Sequence, residues 1–343
     1  MRYRPVLGAV AALAVLLTSC TYSLINGASS APSAASPAAS SLPQSSLPPA
    51  QTSTPQVESN EPELPSAPVK PAISAHYEDI ASLPSTPVTW GPGTRLNNDG
   101  RPADPIALQE KYGKYGAYFI GPDNDKVYLT FDEGYENGYT ASILDTLKAK
   151  GVSAVFFITY PYAKNCPELV QRMIDEGHIV GNHSTTHPVG GMPTLSLDEI
   201  RNDIMKLHDY VLQNYGYEMW LFRPPEGAFS EQTLALTHTL GYLSIMWSFA
   251  YKDWDVNNQM GSSAALAAVT KAPHSGGIYL LHAVSKDNSE ILGDAIDLIR
   301  DKGLTFSSFD LTGENTKRGG TAGASSSDIS EEPSAPDAKP EDD

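Results

Sequence analysis

The stretch Val127-Tyr128-Leu129-Thr130-Phe131-Asp132-Glu133-Gly134 decides how this chain is read. Val127 to Phe131 are apolar, aromatic or β-branched, with no alternating polar face. That pattern predicts a strand buried on both sides, which is the habit of parallel sheets. Two carboxylates and a glycine follow at once, so charge sits at the carboxyl end of the strand. In parallel α/β folds that end is where active sites form.

Outward from this strand the pattern repeats. Ala154–Ile158, His178–Gly181, Trp220–Phe222, Tyr242–Trp247, Gly277–Leu281 and Leu304–Phe306 read as further buried strands. Helical segments lie between them. One is expected from Thr140 to Lys150, stopping at Gly151, and another from Pro167, stopping at Gly177. Ser196-Leu197-Asp198-Glu199 is a capping-box signature. Ser230 is placed to cap a helix ending before Gly241, and Asn288 or Ser289 one ending before Gly303. Repeated strand-then-helix units predict an α/β domain on a parallel sheet, open or closed into a barrel.

Reactive residues recur at the predicted strand ends: Asp132-Glu133, His183 and His187, Arg223 with Glu226, Asp253, and His282. His183 and His187 are four apart. If the chain turns helical from Asn182, both imidazoles share one face and can share a metal. Adjacent carboxylates reach one site only if the strand stops at Phe131, since strand neighbours face opposite ways. Two histidines and one carboxylate leave an open position on zinc for water, and the other carboxylate can take that water's proton. Arg223 can hold a carboxylate in a fixed fork. His282 can protonate a leaving amine, with Asp253 raising its pKa. His76, His178, His208, His238 and His274 read as structural. Cys166 reads as an inert helix-start residue.

Thr130-Phe131-Asp132-Glu133-Gly134-Tyr135, His183-x-x-x-His187, Arg223-Pro224-Pro225-Glu226-Gly227, Asp253-Trp254 and Leu281-His282 resemble, in order, the five motifs of the polysaccharide deacetylase (NodB-like, carbohydrate esterase 4) family. The resemblance spans roughly Gly121 to Leu311. It implies a distorted (β/α) barrel of about seven parallel strands. It further implies Asp132 as base, His183 and His187 as metal ligands, Arg223 as the group positioning Asp132, and Asp253 tuning His282 as acid. The wider family has a second Asp where this chain has Glu133, the implied third ligand. A narrower likeness runs through Glu136-Asn137-Gly138-Tyr139-Thr140, Val256-Asn257-Asn258-Gln259 and Val284-Ser285-x-Asp287-Asn288. These stretches are similar to the delta-lactam-biosynthetic de-N-acetylases, which deacetylate muramic acid lacking a stem peptide in the cortex of bacterial spores. The expected partner is therefore peptidoglycan, and the expected cofactor a divalent metal, Zn2+. Deacetylation of N-acetylglucosamine, removal of acetyl esters from other polysaccharides, and a non-catalytic wall-binding role are the alternatives.

The ends of the chain read differently. Met1 to Cys20 carries Arg2 and Arg4, then an apolar run from Val6 to Leu17 that is short for a bilayer span. Leu17-Thr18-Ser19-Cys20 resembles a bacterial lipobox, which implies cleavage before Cys20 and a lipid anchor on its sulfur. Residues 21–75 are a Ser-, Pro- and Ala-rich linker, and residues 313–343 an acidic tail; neither can bury a core. The domain is placed at 76–312 and the protein outside the cytoplasm, lipid-anchored to the membrane. With a net charge of −17 the chain lacks the basic face that nucleic acid requires, so no such partner is expected.

Overall fold

The computed structural model describes residues 77–122 and 125–309. The expected signal segment, linker and tail lie outside the described residues, as does His76. In chain order the elements are α1 (Tyr77–Ala81), β1 (Val88–Thr89), α2 (Ala103–Tyr112), β2 (Ala117–Tyr118), β3 (Lys126–Glu133), α3 (Thr140–Lys150), β4 (Val155–Ile158), α4 (Tyr160–Asn165), α5 (Pro167–Asp175), β5 (Ile179–Asn182), α6 (Leu197–Tyr215), β6 (Leu221–Phe222), β7 (Ala228–Phe229), α7 (Glu231–Thr239), β8 (Leu243–Ile245), β9 (Phe249–Ala250), α8 (Ser262–Thr270), β10 (Gly277–His282), α9 (Lys286–Arg300) and β11 (Thr305–Phe306).

Among the described residues, nine strands form one sheet in the order β2-β8-β6-β5-β4-β3-β10-β9, with β11 pairing the start of β3. Every pairing in it is parallel. The sheet curls into a half-barrel with helices around it, and its outermost strands, β2 and β9, do not pair with each other. All seven expected strands are present. The two additional members, β2 and β9, are two residues long each, too short to leave a periodicity in sequence. A separate antiparallel pair joins β1 to β7.

Burial explains the uniform apolar character of the strands. All four residues of β4 are buried, and Phe131 of β3 stacks on Phe156 of β4 with ring centroids 5.1 Å apart. The expected helix starts hold where a local cap specifies them. Ser196 and Glu199 close a capping box on α6, and Ser230 does so with Thr233 on α7. The start of α9 is a correction: Ser285, not Asn288 or Ser289, is its cap, accepting from the Asn288 N–H at 3.1 Å. That choice leaves the Asn288 side chain available for other work.

A larger correction concerns β3, which runs on to Glu133 rather than stopping at Phe131. Its register partners Asp132↔Phe157 and Glu133↔Ile158 on β4 keep the ladder regular to the end. The two carboxylates therefore leave opposite faces of one strand.

Candidate active site

Six groups converge where the parallel strands end. Asp132 on β3 and His282 on β10 are direct register partners. Arg223 follows β6 and is wholly buried. Its Nη1 donates to Asp132 Oδ1 at 2.7 Å, its Nε to the Ile245 carbonyl at 2.9 Å, and its Nη2 to the Met246 carbonyl at 3.3 Å. The guanidinium also lies over the Phe157 ring, 4.3 Å from its centroid. Burial alone would raise the Asp132 pKa. The Arg223 guanidinium, helped by His282, outweighs burial and holds the carboxyl below its ordinary range, so it stays ionised.

His183 follows β5, and its Nε2 lies 3.5 Å from Asp132 Oδ2. Its Nδ1 sits 2.9 Å from the Arg223 carbonyl. A carbonyl can only accept, so Nδ1 carries the proton and Nε2 presents a lone pair. Burial pushes the His183 pKa down to about 4, which keeps the ring neutral. The His187 ring lies 4.9 Å from that of His183. Two close imidazoles, one of them neutral with an aimed lone pair, fit a divalent metal.

The route that joins them is not the expected helix. Asn182 ends β5, and the chain then loops, with Ser184 at φ 73° and His187 at φ 45°. Left-handed backbone at non-glycine residues is strained and must be held by its surroundings. Asp203 on α6 supplies the hold, accepting from Thr185 N at 2.8 Å, Thr186 N at 3.0 Å and Thr186 Oγ1 at 2.6 Å. Asn182 Oδ1 accepts from Ser184 N, and Ser184 Oγ from His187 N, both at 2.8 Å. Beyond the loop, Gly191 (φ 74°) passes so close to Ala228 that a Cβ would lie 2.4 Å from the alanine methyl. Glu226, also left-handed at φ 56°, accepts from Gly190 N at 3.0 Å and ties this loop to the one after Arg223. Sequence reasoning missed Asp203. The available signal was an acid inside the apolar stripe Ile200, Ile204, Leu207 and Val211, all buried on α6.

On the opposite wall, Asp253 is buried and holds His282 twice. Its Oδ1 lies 2.7 Å from His282 Nδ1, and its Oδ2 accepts from the His282 N–H at 2.8 Å. Asn288, released from capping, donates to Asp253 Oδ2 at 2.7 Å and to the His282 carbonyl at 3.0 Å. Burial would lower the His282 pKa; the Asp253 carboxylate, reinforced by Asp132, overcomes it and raises it.

Glu133, at the end of β3, is buried. Alternation along β3 turns it away from Asp132. Burial pushes its pKa well above the carboxylate range, and the neighbouring charges of Glu136 and Asp132 add to this. Neither Glu133 carboxylate oxygen has a hydrogen-bond partner among the described residues. Among the described residues no group of three or more His, Cys, Asp or Glu is gathered to hold a metal. Glu136, meanwhile, caps the start of α3, accepting from Gly138 N at 2.5 Å and from the Thr140 hydroxyl.

Three of the histidines read as structural have partners of their own. His178 Nδ1 accepts from Ala154 N at 3.1 Å, His208 Nδ1 meets the Tyr242 hydroxyl at 2.7 Å, and His274 Nε2 meets Ser248 Oγ at 2.8 Å. Cys166 is buried at the start of α5.

A parallel half-barrel whose mouth sets an ionised carboxylate beside a proton-holding imidazole is the frame of a hydrolase using general acid–base catalysis. The comparisons name which. Residues 120–245 match the family model for polysaccharide deacetylase. The chain is 46% identical over 233 residues to an uncharacterized 30.6 kDa protein of Geobacillus stearothermophilus, covering 67% of this chain and 86% of the relative. It is 42% identical over 231 residues to the peptidoglycan-N-acetylmuramic acid deacetylase PdaA of Bacillus subtilis, covering 67% of this chain and 87% of PdaA. The solved structure of B. subtilis PdaA, a family 4 carbohydrate esterase, superposes with a TM-score of 0.62 over 66% of this chain and 97% of that one. A peptidoglycan-N-acetylglucosamine deacetylase of Bacillus cereus is 32% identical over 251 residues, covering 69% of this chain and 86% of the relative. This chain belongs to the polysaccharide deacetylase family, the family 4 carbohydrate esterases. It is a hydrolase of acetyl groups, in a family that works with a divalent metal.

Proposed function

We propose that the chain removes the N-acetyl group from muramic acid residues of peptidoglycan that lack a stem peptide, freeing an amine to close a delta-lactam with the lactyl carboxylate. The observation that carries the chemistry is the pairing of Asp132–Arg223 with His282–Asp253 across adjacent strands. The choice of muramic acid is supported by the higher identity to PdaA, 42%, than to the glucosamine deacetylase, 32%. Exposed Trp254, next to Asp253, and exposed Tyr135, three residues past Asp132, offer aromatic faces suited to sugar rings.

Arg223 occupies Asp132 Oδ1, so Oδ2 is the oxygen that takes a proton from the attacking water. Water oxygen bonds to the acetyl carbon. His282, its Nδ1 proton held by Asp253, then delivers a proton to the amine nitrogen as the C–N bond breaks, leaving acetate and a free amino sugar. The metal, proposed to be Zn2+, would be held by His183 and His187 and would polarise the acetyl carbonyl oxygen. The lipobox-like Leu17-Thr18-Ser19-Cys20 supports anchoring at the outer face of the membrane; a Cys20→Ala protein that still fractionates with membranes would remove that anchor.

Mass spectrometry of peptide-free and peptide-bearing muropeptides after incubation with the metal-loaded protein tests the reading. The expected product has lost one acetyl from muramic acid. Loss from glucosamine alone, or no loss, overturns it.

A further inference from the structure

Two residues past His282, at Val284, the chain lines a cavity of about 360 Å³ that the chemistry above leaves unused. Three segments build it: Asn137 and Tyr139 from the β3–α3 turn, Val256, Asn257 and Gln259 from the loop before α8, and Lys286 from the first turn of α9. The same three segments carry the likeness to the delta-lactam-biosynthetic de-N-acetylases. They are distant in the chain and wired to one another. Asn137 Nδ2 donates to the Val284 carbonyl at 2.9 Å, Ser285 Oγ to Gln259 Oε1 at 2.6 Å, and Gln259 Nε2 to the Asp253 carbonyl at 2.8 Å. The wall of the cavity is thus one hydrogen bond from the residue that holds the acid.

The lining sets amides, a phenol and one ammonium beside Val256 and Val284. Asp287, also on the wall, is buried and committed to the Gly261 N–H at 2.8 Å. Glu290, exposed one turn along α9, lies 3.2 Å from Lys286 Nζ, and the Lys252–Asp255 pair in the neighbouring loop is closed on itself at 2.9 Å. The ammonium is therefore the cation available to an anionic substituent entering the cavity. An ammonium has three donors, so the contact with Glu290 does not exhaust it.

We propose that this cavity is the subsite for the lactyl carboxylate of the muramic acid residue, with Lys286 as the specificity residue. The inference rests on the muramic acid reading above. A free carboxylate offers Lys286 a charge-assisted bond, whereas the amide that joins a stem peptide removes the charge and N-acetylglucosamine lacks the group. Selection for peptide-free muramic acid then follows from one side chain.

The test uses the full-length, metal-loaded protein on peptide-free glycan strands, with the lactyl carboxylate either free or methyl-esterified. Wild type is expected to show a KM about tenfold lower for the acid than for the ester. Lys286→Gln should bring that ratio to about one through KM on the acid, with kcat changing less than about twofold, and Lys286→Arg should keep most of the preference. A lysine serving only its helix through Glu290 would leave the ratio untouched. If wild type does not distinguish acid from ester, or Lys286→Gln keeps the wild-type ratio, the inference fails and the muramic acid reading stands. If wild type deacetylates neither strand, the reading itself fails.

Discussion

His183 and His282 are the same residue at the ends of two parallel strands, and the two walls of the mouth shift their pKa values in opposite directions. His183 leans on a backbone carbonyl and is held neutral, its pKa pushed down to about 4 by burial. His282 leans on a buried carboxylate, which overcomes burial and raises its pKa. One ring is left with a lone pair to give, the other with a proton to give. The partner of the distal nitrogen, and not the histidine itself, assigns the role.

The comparison breaks most completely if the lone-pair side is removed. His183→Ala or His187→Ala should lose the metal and more than about 10²-fold in activity. Elemental analysis after dialysis reads the first effect; full metal content in the double variant would place the metal elsewhere.

Next in size is the proton side. His282 must be protonated to act, and Asp253 keeps it protonated to higher pH. Asp253→Asn removes the raising charge while burial still lowers the pKa. The alkaline limb of the kcat profile should therefore move to lower pH, and activity at neutral pH should fall roughly 10²-fold. An unmoved alkaline limb would show that another group sets it.

A smaller effect is expected from the scaffold of the lone-pair wall. Asp203→Ala frees Thr185 and Thr186, so the left-handed turn loses its hold. Metal affinity should weaken roughly tenfold, with turnover recovering in excess metal. Calorimetric titration with metal checks this, and wild-type affinity would mean that Asn182 and Ser184 suffice.

Smallest of all is Glu133→Gln. Strand alternation sends this side chain to the opposite face of β3 from Asp132, so metal affinity and saturated turnover should stay within about twofold of wild type. A requirement for excess metal would return Glu133 to the imidazoles.

Much of this architecture was legible in sequence. Uninterrupted apolar strands such as Val155–Ile158 announce burial on both faces, and Ser196 with Glu199 announces a helix start within four residues. Such signals are local, so they survive without knowledge of the fold. Reading failed where the deciding partner is distant. The strand was expected to stop at Phe131 because two carboxylates and a glycine followed; pairing with β4 carries it to Glu133 regardless. A helix from Asn182 was only one way for His183 and His187 to share a face. A left-handed loop brings them together instead, held by an aspartate on α6.

By itself the sequence determined the residue types at the strand ends, their order and their spacing, because hydrophobic pattern and capping chemistry act over a few residues. Which of two adjacent acids faces the mouth was decided only by tertiary structure. So were the histidine that keeps its proton and the two walls' separate support by Asp203 and Asn288. Alternation, burial and pKa shift are all set by neighbours across strands and helices, and those neighbours meet only when the chain has folded.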